Sequence, residues 1–279
     1  FRTGVEENLI LEYKSIGSAV TDINIGDRVT LYWKLGCGEC SYCKAGYDVH
    51  CNEPRYVAWN GYSEYVTAPA DACLPLPNSI SLIEGSLLTD TIGTPLAAVK
   101  AADVADKSIA VWGCGPLGLM AIQLCKVYGA RWVAGIDPIA VRRNKAHEMG
   151  ADATIDPLSE DPVAELRSRG RPLGVEASIC ATPAEGVAEL ALNTTVPEGR
   201  LILIAGAVDG DTRHRWLYRV HYFKRGDYPE ISQLAGEHKV ALEPLITHTF
   251  SLDKIADAFR TRFQTKEQAL KVVVIPSKG

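Results

Sequence analysis

The sequence predicts an α/β chain in which a doubly wound parallel sheet is joined to a smaller β domain. Three observations carry this expectation. From Asp106 onward, apolar strand-like runs alternate with helical patterns, the arrangement of a parallel sheet covered on both faces. The first of those runs, Ser108–Trp112, breaks into Gly113-Cys114-Gly115-Pro116-Leu117-Gly118 and then enters an apolar-periodic helix. Ahead of it, the first hundred residues read as short strands and turns, interrupted by four cysteines between Cys37 and Cys51.

Composition sets the outer bounds. The 279 residues are 47% hydrophobic and 23% charged, which suits a globular chain with a sizeable core. A net charge of -5 without basic runs leaves no footprint for nucleic acid, and no apolar stretch approaches the ~20 residues that span a bilayer. Neither nucleic acid nor membrane is an expected partner. Phe1-Arg2-Thr3-Gly4 lacks the charged start and apolar middle of a secretory signal, and a first residue other than Met suggests a start inside a domain. Beyond the clustered cysteines, Cys73, Cys114, Cys125 and Cys180 are scattered in apolar surroundings. That asymmetry favours a reducing, cytoplasmic compartment and one metal site over a disulfide framework.

Leu9-Ile10-Leu11-Glu12-Tyr13, Ile16-Gly17-Ser18 and Ile25-Gly26-Asp27-Arg28-Val29 read as short strands joined by turns. Cys37, Cys40, Cys43 and Cys51 follow, with two, two and seven residues between them. Four thiolates at that spacing can close a tetrahedral shell around Zn²⁺ and leave no position for water, so the metal holds a loop and does no chemistry. The other reading is four unmetallated thiols, which rarely cluster in this way. His50 is a competing ligand, but Cys51 follows it directly. Asn60-Gly61-Tyr62-Ser63-Glu64-Tyr65-Val66-Thr67 reads as a turn into an alternating strand. The prolines of Cys73-Leu74-Pro75-Leu76-Pro77 suit a loop leaving the β unit. Residues 81–102 read as helical, interrupted around Gly93-Thr94-Pro95.

Ile109–Trp112 is the first strand of the parallel unit. In a strand–turn–helix with G-x-G-x-x-G spacing, the first Gly allows the tight turn, the second lets the backbone approach a pyrophosphate, and the third lets helix pack on strand. N–H groups at the helix start then face the phosphates. Gly113, Gly115, Pro116, Leu117 and Gly118 are thus candidate dinucleotide-binding residues. The following helix is expected to turn Leu117, Met120, Ala121, Leu124 and Val127 inward. Residues 131–137 form the second strand, ending in Asp137, 19 residues beyond Gly118. An acid there accepts the adenosine ribose hydroxyls and repels a 2′-phosphate, so NAD is expected over NADP. Asp137 also suits the N-cap of a helix beginning at Pro138, and the two roles are compatible. Further strands are expected at 150–156, 173–178, 200–206 and 216–220, with helices at 162–169 and 183–192 between them. A strand and turn at 245–252, a helix to Arg262 and a last strand at 269–275 complete the chain.

Taken in order, Lys14–Val20, Gly26–Val29, the four cysteines, Gly61–Tyr65, the glycine turn with Asp137, and Leu245–His248 resemble the zinc-containing medium-chain alcohol dehydrogenases. The resemblance runs from about Ser15 to the C-terminus. It implies a GroES-like catalytic domain over residues 1–90 whose N-terminal part is missing, a Rossmann NAD-binding domain over 91–222, and a segment, 223–279, returning to the catalytic domain. It makes Cys37, Cys40, Cys43 and Cys51 a structural zinc lobe. It also implies a second, catalytic zinc held by a cysteine, by the histidine of a Gly-His-Glu motif and by a third Cys, Asp or Glu. The open position of that zinc polarises an alcohol or carbonyl while nicotinamide exchanges hydride. By the same match Asp90 stands at the third ligand, Thr94 near the nicotinamide and Arg142 near the adenosine ribose, whereas His248 lies away from the chemistry.

The sequence departs from that pattern in two places. The region expected to supply the first cysteine and the proton relay falls before Phe1, and Gly-His-Glu does not occur in these residues. With Lys14–Val20 matched without a gap, the family His falls on Glu7 and its Glu on Asn8. Two inserted residues give Gly4-Val5-Glu6 instead, with Val5 at the His. Glu6 or Glu7 with Asp90 forms an oxygen-rich, incomplete zinc site, and the other reading of both glutamates is solvated surface acids. The connection from Gly206 to Tyr222 is also shorter than the family usually carries, in a segment that helps form the nicotinamide end and the dimer edge. The expected function is NAD(H)-dependent hydride transfer on a small secondary alcohol, polyol or ketone by a homo-oligomer, dimer or tetramer. Alternatives on the same fold are a zinc-independent reductase and a shortened, non-catalytic NAD-binding protein.

Overall fold

The computed structural model describes residues 10–12, 15–56, 61–169, 172–209, 212, 214–265 and 267–276. The chain divides into two compact units, one made of residues 1–93 and 222–279 and the other of residues 94–221. Glu7, with Val5, Glu6 and Asn8 beside it, lies outside the described residues.

In the first unit, β1 (Ile10–Glu12) pairs antiparallel with β2 (Arg28–Leu31). No strand forms at Ile16–Ser18, and Ile25 and Gly26 belong to a turn rather than to β2. Gly26 takes φ +92° there, and the Asp27 carboxylate accepts the Asn24 N–H at 2.8 Å, so the strand starts only at Arg28. The short hairpin β3 (Lys34–Leu35) and β4 (Arg55–Tyr56) brackets the cysteine lobe, which holds the helical turn α1 (Ser41–Lys44) and a 3-10 turn at Asp48–His50. The alternating run at 61–67 stays irregular. Conversely, the proline-flanked stretch expected to be a loop supplies β5 (Cys73–Pro75), which pairs with β2. Leu74 is buried, and Pro75 sits at the strand's last position, where its missing N–H interrupts no ladder. A Ser81/Glu84 capping box starts α2 (Leu82–Gly85). The helical stretch is then broken not at Pro95 but earlier, by a π-helical turn at Leu88–Ile92 in which the Ile92 N–H reaches the Leu87 carbonyl at 3.0 Å. In α3 (Gly93–Ala102) Pro95 falls in the first turn, where no N–H is required of it.

The second unit is a parallel sheet of β6 (Ser108–Trp112), β7 (Trp132–Ile136), β8 (Ala153–Ile155), β9 (Val175–Cys180), β10 (Thr195–Leu203) and β11 (Trp216–Arg219). Their order is β11-β10-β9-β6-β7-β8. The connections α4 (Pro116–Val127), α5 (Ala140–Glu148), α6 (Pro162–Ser168) and α7 (Val187–Asn193) are helical. Every residue of β6 is buried, as expected of a central strand with both faces covered. On one face Trp112, Ile136, Ile155, Leu166, Leu192 and Leu203 form a continuous apolar cluster. The helix α4 is buried nearly all round, not on one stripe, since Leu119, Ile122 and Cys125 are as inaccessible as Met120 and Leu124. Val127, expected inside, is 43% exposed at its end. Strand order reverses between β6 and β9, so the crevice at their carboxyl ends is the place where such sheets take ligands.

The chain then returns to the first unit through α8 (Tyr228–Gly236). Tyr228, Ile231, Leu234 and Ala235 give it a buried face at helical spacing, and the Tyr228 hydroxyl donates to the Pro75 carbonyl at 2.8 Å. A parallel pair of strands, β12 (Ile246–Ser251) and β13 (Lys271–Ile275), follows around α9 (Ile255–Gln264).

Candidate dinucleotide site and metal lobe

The three glycines behind β6 meet three separate geometric demands. Gly113 adopts φ +92°, a conformation that costs L-residues strain, and a Cβ there would stand 2.9 Å from the Cβ of Thr182, just past β9. Gly115, the N-cap of α4, has nothing within 4 Å of the position a Cβ would take. That open space above the helix start is what close approach of a phosphate needs. Gly118 is the reverse case: a Cβ there would fall on the Gly113 carbonyl oxygen, so the absence of a side chain lets α4 sit against the turn. Pro116 occupies the first helical position, where its fixed φ suits the helix and no N–H is lost. Leu117 and Gly118 follow in that first turn, whose N–H groups have no partner within the helix.

Asp137 leaves β7 beside this turn with 3% of its surface exposed. One carboxylate oxygen accepts the Cys114 N–H at 2.8 Å, and the other accepts the Ile139 N–H at 2.8 Å. The acid is therefore not the cap of the following helix: α5 starts at Ala140 with Ile139 as its N-cap, and Asp137 closes an Asx turn ahead of it. Arg142 Nη1 lies 3.8 Å from its Oδ2. Each carboxylate oxygen carries two lone pairs, so both can still accept a ribose hydroxyl. Thr94 lies fully buried in the first turn of α3.

The four clustered cysteines converge in the first unit, their sulfurs all within 4.8 Å of one another. The separations Cys40–Cys43, Cys40–Cys51 and Cys37–Cys43 are 3.5, 3.9 and 4.0 Å. A tetrahedral Zn²⁺ with bonds of about 2.3 Å sets its sulfurs about 3.8 Å apart. The lobe thus has the size of a Zn(Cys)₄ shell. Backbone N–H groups of Cys37 and Glu53 point at the Cys51 sulfur at 3.3 and 3.4 Å, and that of Cys40 points at Cys37 at 3.4 Å, which favours thiolates. The bonds from the Cys40 and Glu39 backbone hold the Cys37 thiol down near 7, whereas burial pushes Cys43 up to about 12; a bound metal displaces both protons. Gly36 is required here because a Cβ on it would run into the Cys43 sulfur. His50 takes no part in the cluster and packs instead against Tyr42 and Tyr47, its ring centroid 6.4 Å from each.

Asp90 sits half-buried in the π-turn. An extra residue in a helical turn rotates the side chains that follow, and such turns recur at functional sites. Among the described residues, the cysteine lobe is the single group of three or more His, Cys, Asp or Glu side chains arranged to hold a metal, and Asp90 is not part of it.

Lys271 was not singled out in the sequence, where the only hint is one lysine inside the apolar run 269–275. It is 4% exposed, and burial pushes its amine down to about 7. Between pH 7 and the unfolded value near 10, the unfolded chain carries a proton that the folded chain has shed, so stability rises with pH across that window and is lowest beneath it. Lys271→Met should flatten the rise of the melting temperature between pH 7 and pH 10, as measured by thermal denaturation across the range.

Comparison with known proteins agrees with this architecture. Residues 13–78 match the alcohol dehydrogenase GroES-like domain, and residues 116–225 match the zinc-binding dehydrogenase family. L-threonine 3-dehydrogenase of Pyrococcus furiosus is 30% identical over 264 residues, covering 89% of this chain and 75% of that protein. This chain belongs to the zinc-type medium-chain dehydrogenase family. A second relative in that family, a probable D-xylulose reductase A of Emericella nidulans, is 34% identical over 164 residues, 55% of this chain and 45% of the reductase. An alcohol dehydrogenase of Escherichia coli CFT073, solved in complex with NADH, shares the dehydrogenase fold with a TM-score of 0.86 at 22% identity, over 96% of this chain and 82% of that one. The β unit and the doubly wound sheet thus carry the GroES-like and the zinc-binding dehydrogenase matches respectively. Among the described residues no helix is long and apolar enough to cross a membrane.

Proposed function

We propose that this chain is an NAD(H)-dependent oxidoreductase that moves hydride between nicotinamide and a small secondary alcohol, polyol or ketone. The observation that carries the reading is the turn from Gly113 to Gly118 with Asp137 beside it. Gly113 and Gly118 bring helix and strand together, Gly115 leaves room for a pyrophosphate, and the first-turn N–H groups of α4 offer it hydrogen bonds. Asp137 accepts the ribose hydroxyls and repels a 2′-phosphate, with Arg142 beside its carboxylate. Thr94 lines the nicotinamide end in this reading. When bound, the dinucleotide supplies the hydride acceptor or donor.

Cys37, Cys40, Cys43 and Cys51 hold a structural zinc that folds the lobe. Asp90 is the ligand this chain offers to a catalytic zinc, and Glu7 is its candidate companion. A second reading, hydride delivery without catalytic zinc, is favoured by one observation: no Gly-His-Glu motif is present to provide an imidazole ligand. The exposed edge strand β11, with Trp216, Leu217 and Tyr218 at 61%, 43% and 39% exposure, favours a homo-oligomer built by edge pairing. Cytoplasmic location suits cysteines that form no disulfide among the described residues.

Turnover of a panel of secondary alcohols and polyols with NAD⁺ and NADP⁺, read at 340 nm on protein of known zinc content, tests the proposal. NAD⁺-linked turnover is expected. Asp137→Ala should cut the preference for NAD⁺ over NADP⁺ by roughly 10- to 100-fold, the equivalent of losing charge-assisted bonds to a hydroxyl. No turnover with either dinucleotide would sink the oxidoreductase reading, and an unchanged preference would remove the role given to Asp137.

A further inference from the structure

The carboxylate that reads the ribose in the function proposed above is held from behind by a residue outside the glycine-turn motif. Arg143, in the first turn of α5, donates from Nη1 to the main-chain carbonyl of Asp137 at 2.8 Å. Its Nη2 reaches Asp156 Oδ2 at 2.9 Å. Asp156 follows β8 directly and uses its other oxygen to accept the Leu158 N–H at 3.0 Å, while its own N–H donates to Glu160 at 2.8 Å. One guanidinium therefore ties the carboxyl end of β7 to the carboxyl end of β8. The Arg143 and Asp156 side chains retain 17% and 22% exposure, so solvent screens the pair only in part.

What Arg143 grips is the main chain on which the carboxylate rides. The two bonds that orient the Asp137 side chain come from Cys114 and Ile139. Both require the stretch 137–139 to follow one path. On its N–H side that path is fixed by a 3.3 Å bond from Asp137 to the Ile155 carbonyl. On its carbonyl side it is fixed by Arg143. Arg142 faces the carboxylate itself, so the two consecutive arginines act differently, one on the charge and the other on the backbone beneath it.

We propose that Arg143 is a positioning residue for cofactor choice: by holding the Asp137 carbonyl and the Asp156 carboxylate together, it keeps the Asp137 carboxylate where it accepts a ribose 2′-hydroxyl and turns away a 2′-phosphate. A planar fork suits this task because two donors leave it in fixed directions, which a lysine ammonium does not reproduce. The inference rests on the dinucleotide reading proposed above.

Titration calorimetry of the full chain with NAD⁺ and with NADP⁺ tests it, using wild type, Arg143→Ala, Arg143→Lys, Asp156→Asn and the Arg143→Ala/Asp156→Asn double variant. Arg143→Ala should weaken NAD⁺ binding roughly tenfold, as expected for a displaced contact group, and change NADP⁺ binding by less than about twofold. Arg143→Lys should recover part of the loss. The double variant should be no worse than Arg143→Ala alone, because both substitutions break one tie. Arg143→Ala that lowers the melting temperature yet weakens both dinucleotides equally, or leaves their ratio unchanged, overturns the inference while the dinucleotide site stands. Wild type that binds neither dinucleotide overturns the site and the inference together.

Discussion

Cys40→Ser should lower bound zinc from about one atom per chain to a small fraction, and the melting temperature should fall by on the order of 10 °C. The expectation follows from closure of the shell. Cys40 lies 3.5 Å from Cys43 and 3.9 Å from Cys51, so its loss opens the tetrahedron on two sides. Between β3 and β4 the lobe has two short helical turns, Ser41–Lys44 and Asp48–His50, and Val49 as its buried apolar side chain apart from the ligand Cys51, so little else holds it folded. Elemental analysis together with differential scanning calorimetry checks this. A variant that keeps both its zinc and its melting temperature would refute the metal lobe. Chelation of the wild-type chain should produce the same loss, and re-addition of Zn²⁺ should reverse it only while the thiols stay reduced.

Gly118→Ala should abolish dinucleotide binding, a fall of at least about 100-fold in affinity, because the added methyl meets a backbone atom, not a flexible side chain. The Gly113 carbonyl cannot rotate away without turning the Cys114 N–H of the same planar peptide, which donates to the Asp137 carboxylate at 2.8 Å. The helix α4 must therefore shift, and the N–H groups at its start shift with it. Gly115→Ala provides the contrast. Its Cβ would meet nothing in the protein, so folding should survive while a bound pyrophosphate is crowded. Calorimetric titration with NAD⁺, set beside the melting temperature of each variant, separates the two. Wild-type affinity in Gly118→Ala would show that the turn does not hold a phosphate.

Much of this architecture was legible because some constraints are written in sequence spacing. A glycine turn after a buried strand, an acid 19 residues on and four cysteines in fifteen residues each reflect a local demand that few other residues meet. The six strands of the parallel sheet were legible for a related reason, since burial on both faces leaves continuous apolar runs. The first unit was harder. Residues 61–67 alternate like a strand but have no strand partner in the structure, and Cys73–Pro75 pairs with β2 despite its prolines, because pairing is decided by a neighbour distant in sequence. The π-turn at Leu88–Ile92 leaves no periodic mark, as one inserted residue only shifts the phase of the helix. Arg143 and Lys271 were missed because each owes its role to distant chain: Arg143 to Asp156 thirteen residues on, Lys271 to the burial of its strand.

Packing at Gly93 has a consequence for the history of such chains. A Cβ on Gly93 would overlap the ring of Phe223, and Phe223 is itself fully buried, with its carbonyl accepting the Tyr32 hydroxyl at 2.8 Å. Gly93 is the last residue of the first unit before the chain leaves it, and Tyr222 is the first on its return. The exit and the re-entry are therefore neighbours, and the unit they belong to is interrupted without being split open. A domain borrowed at such a point needs no long connectors, and its removal leaves a gap that a few residues can close. The same junction limits what can change: a side chain larger than hydrogen at position 93 would have to arise together with a smaller ring at position 223.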